Sequence, residues 1–138
     1  MEFTIEQHLR CTPEHAFDLM ADARNEPRWN RQVSRSELRS DEPIGRGSRF
    51  VTVNRGKEYD ASISEYERPS RLAFDVTGQM DVKATFTFAA RDGGTDYRAT
   101  FDFTPHGSMR LMGPVLKPMI AASLKKESAS FKALCEGD

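Results

Sequence analysis

The sequence lacks any long hydrophobic run and carries almost no net charge. No apolar stretch approaches the roughly 20 residues of a membrane-spanning helix, so no transmembrane segment is expected. The formal net charge is -1 at pH 7, which provides no global field that would attract nucleic acid or an acidic membrane. The first five residues alternate in polarity and include a charge, unlike a signal peptide, so we expect a cytoplasmic protein.

Cysteine is scarce as well. The two cysteines, Cys11 and Cys135, are far apart in sequence, which does not indicate a disulfide framework and favours a reducing compartment. Cys11 and His15 have a helical ligand spacing, but Pro13 separates them at a predicted helix start. The sequence contains no other cluster of histidine and cysteine, so neither a metal site nor a cofactor is expected.

Recognisable catalytic motifs are also missing. There is no G-x-S-x-G nucleophile motif. Gly45 and Gly47 lack the third glycine and the following helix of a dinucleotide-binding loop, so they indicate a tight corner between strands. Among the acidic residues on predicted strands, Glu65 faces inward near a strand end, and most others face solvent: Asp60, Asp75 and Asp102. No catalytic residue can therefore be assigned, which weakens the case for an enzyme without excluding one.

The polarity pattern predicts a single domain, residues 1–138, with one core. Residues 2–10 alternate as a strand, Thr12-Pro13 is a good helix start, and two short helical pieces follow, ending near Trp29. Predicted strands then occupy residues 32–39, 48–54, 57–67, 71–77, 80–91 and 95–104. The chain closes with a short helical piece at 107–112, a bend, and a regular helix to about residue 135. The predicted class is α+β: a seven-stranded antiparallel sheet curved around the long C-terminal helix.

One predicted hairpin turns at Arg55-Gly56. A two-residue turn there places Thr52 opposite Tyr59. Strand alternation then puts Thr52, Asn54 and Tyr59 on the buried side of the sheet with Phe50. Buried polar groups need partners, so these side chains either bond within the protein or contact a ligand.

A second predicted hairpin turns at Gly93-Gly94. A two-residue turn at these glycines places Phe86 opposite Phe101. The alternation of the two strands is clean, which indicates one solvated face and one buried face. The buried face carries most of the aromatic residues of this region: Phe86, Phe88, Tyr97, Phe101 and Phe103.

Three segments and the closing helix resemble a known superfamily. Pro13–Phe17 followed by Trp29, then Ile44–Phe50, then Tyr66–Phe74, occur in the order and spacing of the START/Bet v 1-like (SRPBCC) superfamily. The sequence most resembles bacterial members of the polyketide cyclase/dehydrase type. The resemblance covers essentially the whole chain and implies the helix-grip fold.

The resemblance also implies a deep, largely apolar cavity between the sheet and the last helix. Members of the superfamily bind lipids, sterols, polyketides and plant hormones, and some catalyse reactions. On this basis Trp29 would line one end of the cavity, and Thr52, Asn54 and Tyr59 would be its sparse polar contacts. The predicted apolar wall consists of Phe50, Phe74, Phe86, Phe101, Met112, Val115 and Met119.

Three functions remain open at this stage. The first is binding of a hydrophobic small molecule such as a lipid, a sterol or a polyketide-like compound. The second is an enzyme of the polyketide cyclase, aromatase or dehydratase type. The third is a protein-partner module that uses the strand 32–39 edge or the arginine-rich stretch 22–49, whose seven arginines and five acidic residues leave a net charge of +2. A solvated, ion-paired face is the simpler interpretation of that stretch. A nucleic-acid partner is not expected, and a homodimer remains open.

Overall fold

The protein forms one seven-stranded antiparallel sheet. The computed structural model describes residues 1–137, so Asp138, the last residue of the predicted domain, lies outside the described residues. The strands are β1 (Glu2–Leu9), β2 (Val33–Leu38), β3 (Arg49–Asn54), β4 (Lys57–Glu67), β5 (Arg71–Thr77), β6 (Met80–Arg91) and β7 (Gly94–Pro105). Their order in the sheet is β1-β7-β6-β5-β4-β3-β2, which confirms the sheet and the predicted edge position of β2.

The helices lie at the two expected places along the chain. They are α1 (Pro13–Ala21), a first 3₁₀ helix (Ala23–Arg28), a second 3₁₀ helix (Gly107–Met112) and α2 (Gly113–Cys135). The side chain of Thr12 caps α1 by accepting a hydrogen bond from the backbone N–H of His15 at 3.1 Å. The predicted break near residue 112 is confirmed by the change from 3₁₀ to α-helix there. Among residues 1–137, no helix combines the length and the hydropathy needed to cross a bilayer.

The predicted register of β3 and β4 is confirmed. Thr52 pairs with Tyr59 and Phe50 pairs with Ala61. The turn residues Arg55 and Gly56 both have positive φ, 50° and 78°, as a primed hairpin turn requires. This hairpin brings polar side chains of β3 and β4 to the concave face of the sheet.

The predicted register of β6 and β7 is wrong by two residues. The turn consists of Asp92 and Gly93, both with positive φ, and Arg91 pairs with Gly94. Gly94 is buried inside β7, where a Cβ atom would lie 2.4 Å from the backbone oxygen of Leu9 on β1. Close approach of the neighbouring strand therefore requires glycine at position 94, and Asp-Gly supplies the primed turn instead.

The shift changes the partners of the aromatic residues without changing their face. Phe101 lies opposite Ala84, and Phe86 lies opposite Ala99. Because side chains alternate with a period of two, a shift by two residues keeps every side chain on the predicted side of the sheet. The aromatic face was therefore predicted correctly from an incorrect register.

A bulge corrects the predicted orientation of Glu65. The register of β4 against β5 shifts between Ile63 and Glu65. The extra residue reverses the alternation beyond it, so the Glu65 carboxylate lies on the exposed face, 3.0 Å from the guanidinium of Arg71. The prediction that Glu65 faces inward is wrong for this reason.

The arginine-rich stretch is ion-paired, as expected for a solvated face. Arg24 pairs with Asp22 and with Glu42, each at 2.9 Å. Arg39 pairs with Glu37 at 2.7 Å. These exposed pairs neutralise much of the local positive charge.

The C-terminal end of α2 is attached to the end of β1. The backbone N–H and the guanidinium of Arg10 donate to the Glu136 carboxylate at 2.9 and 3.0 Å. These bonds, with a further one from Lys132, lower the pKa of Glu136 to about 2. The thiols of Cys11 and Cys135, both free, also lie near each other at this end of α2. The end of α2 is therefore held on the sheet, and its preceding turns cover the concave face.

Candidate functional site

A cavity of about 280 Å³ lies between the concave face of the sheet and α2. The α2 side chains that line it follow helical spacing, because residues three and four apart share a face. They are Met119, Ile120, Ser123, Leu124, Glu127, Ser128 and Phe131. The volume is near the lower limit of the 300–1,000 Å³ typical of small-molecule sites, which favours a compact ligand.

The sheet contributes an apolar, aromatic wall. The Phe86 ring lies 5.7 Å from that of Phe101 and 6.4 Å from that of Phe74, both in edge-to-face contact. Strand alternation explains the arrangement, since every second residue of β5, β6 and β7 faces the cavity. The apolar residues that the sheet contributes are Ala61, Phe74, Val76, Met80, Val82, Ala84, Phe86, Phe101 and Phe103.

Two carboxyl groups line this cavity. Glu26 comes from the first 3₁₀ helix, Glu127 comes from α2, and the side-chain amide of Asn30 favours the ionised form of both. Asn30 is only 4% exposed, and its Oδ1 accepts the backbone N–H of Gln32 at 3.0 Å. That bond leaves the two N–H groups of the Asn30 amide for the two carboxyls.

The pKa values of both carboxyl groups are raised toward 7 in the cavity. Burial raises the pKa of Glu26 to about 7, repulsion by Glu127 adds to the rise, and Asn30 opposes it. Burial likewise raises the pKa of Glu127 to about 7, while the Asn30 hydrogen bond and the Arg55 charge lower it. Both groups therefore exchange protons near physiological pH, which suits them to bind a charged group or to transfer a proton.

Three further groups with polar atoms line the same cavity. Burial raises the pKa of the Tyr97 hydroxyl, and also that of Tyr59, where Arg55 acts in the opposite direction. The buried indole Nε1 of Trp29 has no hydrogen-bond partner within the described part of the chain. Phenolic hydroxyls and the indole N–H are thus available to orient a bound molecule.

Most of the residues predicted to contact a ligand line the cavity. They are Trp29, Thr52, Asn54, Tyr59, Phe74, Phe86, Phe101 and Met119. Their contact with a ligand remains a prediction.

The other three predicted residues do not line the cavity. Phe50 is 1% exposed and packs in the core against Phe74. Met112 and Val115 are 46% and 60% exposed, on the outer side of the helical segment. In the first half of α2, the buried residues that pack against the sheet are Leu116, Ile120 and Leu124.

The carboxyl pair was not predicted. Glu127 follows Leu124 by three residues and precedes Phe131 by four, so its place on the buried stripe of α2 was readable from helical spacing. Glu26 lies in a short 3₁₀ helix, where no amphipathic period reveals orientation. Asn30 follows that helix in a turn and offered no sequence signal.

Metal chemistry finds no support in this arrangement. Among residues 1–137, no group of three or more histidine, cysteine, aspartate or glutamate side chains is placed to hold a metal ion. The site combines an apolar wall with carboxyl, amide and hydroxyl side chains. Such a set can enclose an apolar molecule, fix one polar group of it, or move a proton.

The family model described as "Polyketide cyclase / dehydrase and lipid transport" matches residues 1–136. The chain belongs to the polyketide cyclase/dehydrase and lipid transport family. This membership agrees with the helix-grip architecture, and it confirms the resemblance seen in the sequence. A relative in this comparison, an uncharacterised protein of Mycobacterium tuberculosis H37Rv, is 28% identical over 132 residues, which cover 86% of this chain and 74% of the relative.

Solved structures share the fold of this family member. A START superfamily protein from Mycobacterium smegmatis superposes with a TM-score of 0.83 at 12% identity, covering 99% of this chain and 97% of the other. Ara h 8.0201 superposes with a TM-score of 0.74 at 14% identity, covering 100% and 99%. At these identities the likeness establishes the fold alone.

Proposed function

We propose that this protein binds a compact hydrophobic molecule with one polar group, in the cavity between the sheet and α2. The observation that carries the proposal is the cavity itself: an aromatic wall of Phe74, Phe86 and Phe101 together with a smaller set of polar side chains. An apolar wall favours any ligand that removes hydrocarbon from water, and a few polar groups fix its orientation. The family description, which includes lipid transport, is consistent with such a ligand.

Native mass spectrometry of gently purified protein tests the proposal directly, because a retained molecule would reveal its mass and class. A second readout is the fluorescence of Trp29, the sole tryptophan, which lines the cavity. Titration with a panel of fatty acids, sterols and aromatic polyketides should give saturable changes for at least one class. Linear, non-saturating responses to every class would contradict the proposal.

A bulky side chain that fills the cavity should weaken this binding. Ser123→Phe adds a ring on the cavity side of α2, and we expect affinity for the best ligand of the panel to fall at least roughly tenfold, because a few extra carbons in a pocket already cost that much. Ala122→Phe adds the same ring at the adjacent exposed position and serves as the control. Equal affinity of the two variants in Trp29 titrations would place the ligand outside the cavity.

The carboxyl pair favours a second candidate, a dehydratase-type activity. Near pH 7 one of Glu26 and Glu127 can act as a base while the other acts as an acid. In dehydration of a β-hydroxy acyl chain, the carboxylate would take the Cα proton and the carboxylic acid would protonate the departing hydroxyl. Water leaves, a C=C bond forms, and the proton has moved from one carboxyl group to the other.

This candidate predicts loss of turnover in either glutamine variant. With 3-hydroxyoctanoyl-N-acetylcysteamine as substrate, Glu26→Gln or Glu127→Gln should lower kcat about 10²-fold or more, since each removes a proton-transfer group. Loss of substrate and gain of the enoyl product would be followed by chromatography. Glu58→Gln, on the exposed surface, is the matched control. If the native protein does not turn over this compound, or if both variants keep full activity, the dehydratase candidate fails.

A further inference from the structure

The Glu26–Glu127 pair differs from several other acidic side chains of the protein, which are bonded to an arginine. Asp18, Asp22 and Glu136 each accept hydrogen bonds from an arginine at 3.1 Å or less. No such ion pair within 4.0 Å involves Glu26 or Glu127 among residues 1–137. Within residues 1–137, two acidic side chains therefore line the cavity without an ion-pair partner, beside the Asn30 amide.

The surroundings of the pair leave its negative charge largely uncompensated. The titratable or charged residues that line the cavity are Asp22, Glu26, Arg55, Tyr59, Tyr97 and Glu127. Asp22 is already bonded to Arg24. Arg55, in the β3–β4 turn, is exposed and acts on Glu127 through its field rather than by an ion pair. When both glutamates ionise, their charges sum to -2, and the cation that lines the cavity, Arg55, forms no ion pair with either.

Neutral, anionic and cationic head groups would interact differently with the two glutamates. A neutral hydrocarbon leaves the pair unpaired or requires both groups to be protonated. A carboxylate ligand would be repelled by the pair. A protonated amine supplies a positive charge and up to three N–H donors, which form charge-assisted hydrogen bonds with both carboxylates.

We propose that the ligand of this cavity is a hydrophobic amine, whose protonated nitrogen binds between Glu26 and Glu127 while its hydrocarbon portion contacts the phenylalanine wall. This inference rests on the proposed binding function and specifies the chemical class of the ligand. The ring of Trp29 lines the same cavity and adds a surface on which a cation is stabilised. Different residues thus supply affinity and selectivity: the phenylalanines bind the hydrocarbon portion, and the glutamates select the head group.

The affinity for an amine should depend on pH in a way that the affinity for a neutral ligand does not. An alkylamine stays protonated below about pH 10, like the lysine side chain. Glu26 and Glu127 lose their protons near pH 7. Affinity for the amine should therefore rise between pH 5 and pH 8, whereas affinity for a neutral alcohol of the same length should stay level or fall.

The test uses three compounds with one hydrocarbon tail. Octylamine, 1-octanol and octanoate are titrated against the full chain at pH 8 while Trp29 fluorescence is recorded. Octylamine should bind at least roughly tenfold more tightly than 1-octanol, which is the size expected for a charge-assisted hydrogen bond, and octanoate should bind most weakly. Glu26→Gln/Glu127→Gln should remove the preference for octylamine and leave the affinity for 1-octanol unchanged or improved. The control Glu58→Gln/Glu67→Gln removes the same charge from exposed positions and should keep the preference.

The outcomes separate this inference from the binding function on which it rests. If 1-octanol and octanoate bind as tightly as octylamine, the cavity function stands and the amine is the wrong class. A preference for octylamine that survives in the Glu26→Gln/Glu127→Gln variant would also overturn the inference, because it would come from the general surface charge. If none of the three compounds gives a saturable change, the proposed function and the inference fail together. The single variant Glu127→Gln, expected to lose only part of the preference, provides the same comparison if the double variant does not fold.

Discussion

Replacing Phe131 by alanine is expected to lower the free energy of unfolding by about 3–5 kcal/mol. The side chain is 1% exposed and joins three parts of the structure. Its ring contacts Trp29 at 5.6 Å and Tyr97 of β7 at 5.5 Å, so it connects the long helix to both the sheet and the segment after the first 3₁₀ helix. Removing it deletes these contacts and enlarges the cavity, which the surroundings can fill only in part.

Urea denaturation measures the loss in the free energy of unfolding. The variant Phe17→Ala serves as a control that distinguishes an effect on stability from an effect on ligand binding. Phe17 of α1 is fully buried, packs on Tyr66 and Phe88, and does not line the cavity. We expect both variants to lose similar stability, but only Phe131→Ala to change ligand affinity. A loss below about 1 kcal/mol for Phe131→Ala would show that the end of α2 is not packed as described. If either alanine variant is unfolded at 25 °C, Phe131→Leu and Phe17→Leu give the same comparison with smaller losses.

The second large effect is a loss of stability as the pH rises from 5 to 8. Glu26 and Glu127 have folded-state pKa values of about 7, above the ordinary value of 4.5 that holds in the unfolded chain. A group whose pKa is raised on folding stabilises the protein fully below its unfolded value, and this contribution is lost as the pH passes through the folded value. For the pair we expect a loss on the order of 3 kcal/mol, because both side chains are partly exposed and solvent screens part of each charge.

The glutamine double variant shows whether this pair is responsible. Glu26→Gln/Glu127→Gln should be more stable than the native protein at pH 8, and the difference should shrink toward pH 5. The lowered pKa values of Asp18, Asp96 and Glu136 affect stability only at more acidic pH. Equal pH dependence of the two proteins, measured by urea denaturation, would contradict ionisation of this pair near neutral pH.

The negative charge of Glu26 and Glu127 underlies both the expected binding of amines and the expected loss of stability at high pH. An empty cavity at pH 8 holds two carboxylates that repel each other and lack a counterion, which destabilises the fold. A bound cation would relieve that cost, so octylamine should raise the midpoint of thermal unfolding more at pH 8 than at pH 5. Selection of the ligand head group and the loss of stability at high pH therefore have the same cause, the charge of the two glutamates.

Much of the architecture was predictable from local patterns. Alternation in β6 and β7 identified the aromatic face, and it did so even though the Gly93-Gly94 turn was wrong, because a two-residue shift preserves the face. Thr12-Pro13 located the start of α1, and the prolines of the closing segment located its break. These features depend on residues close in sequence, where backbone sterics and hydrogen bonding are decisive.

The sequence by itself determined the order of the elements, the buried face of each strand and, through the family resemblance, the presence of a cavity. Only the tertiary structure decided which side chains reach that cavity. Met112 and Val115 have the right chemistry but lie on the outer side, because the orientation of α2 is set by packing against β1, β6 and β7. Glu26 and Glu127 are 101 positions apart, and no local rule relates a 3₁₀ helix to a distant helical turn. Their raised pKa values arise from long-range packing, which brings both carboxyls into one cavity and removes part of their hydration.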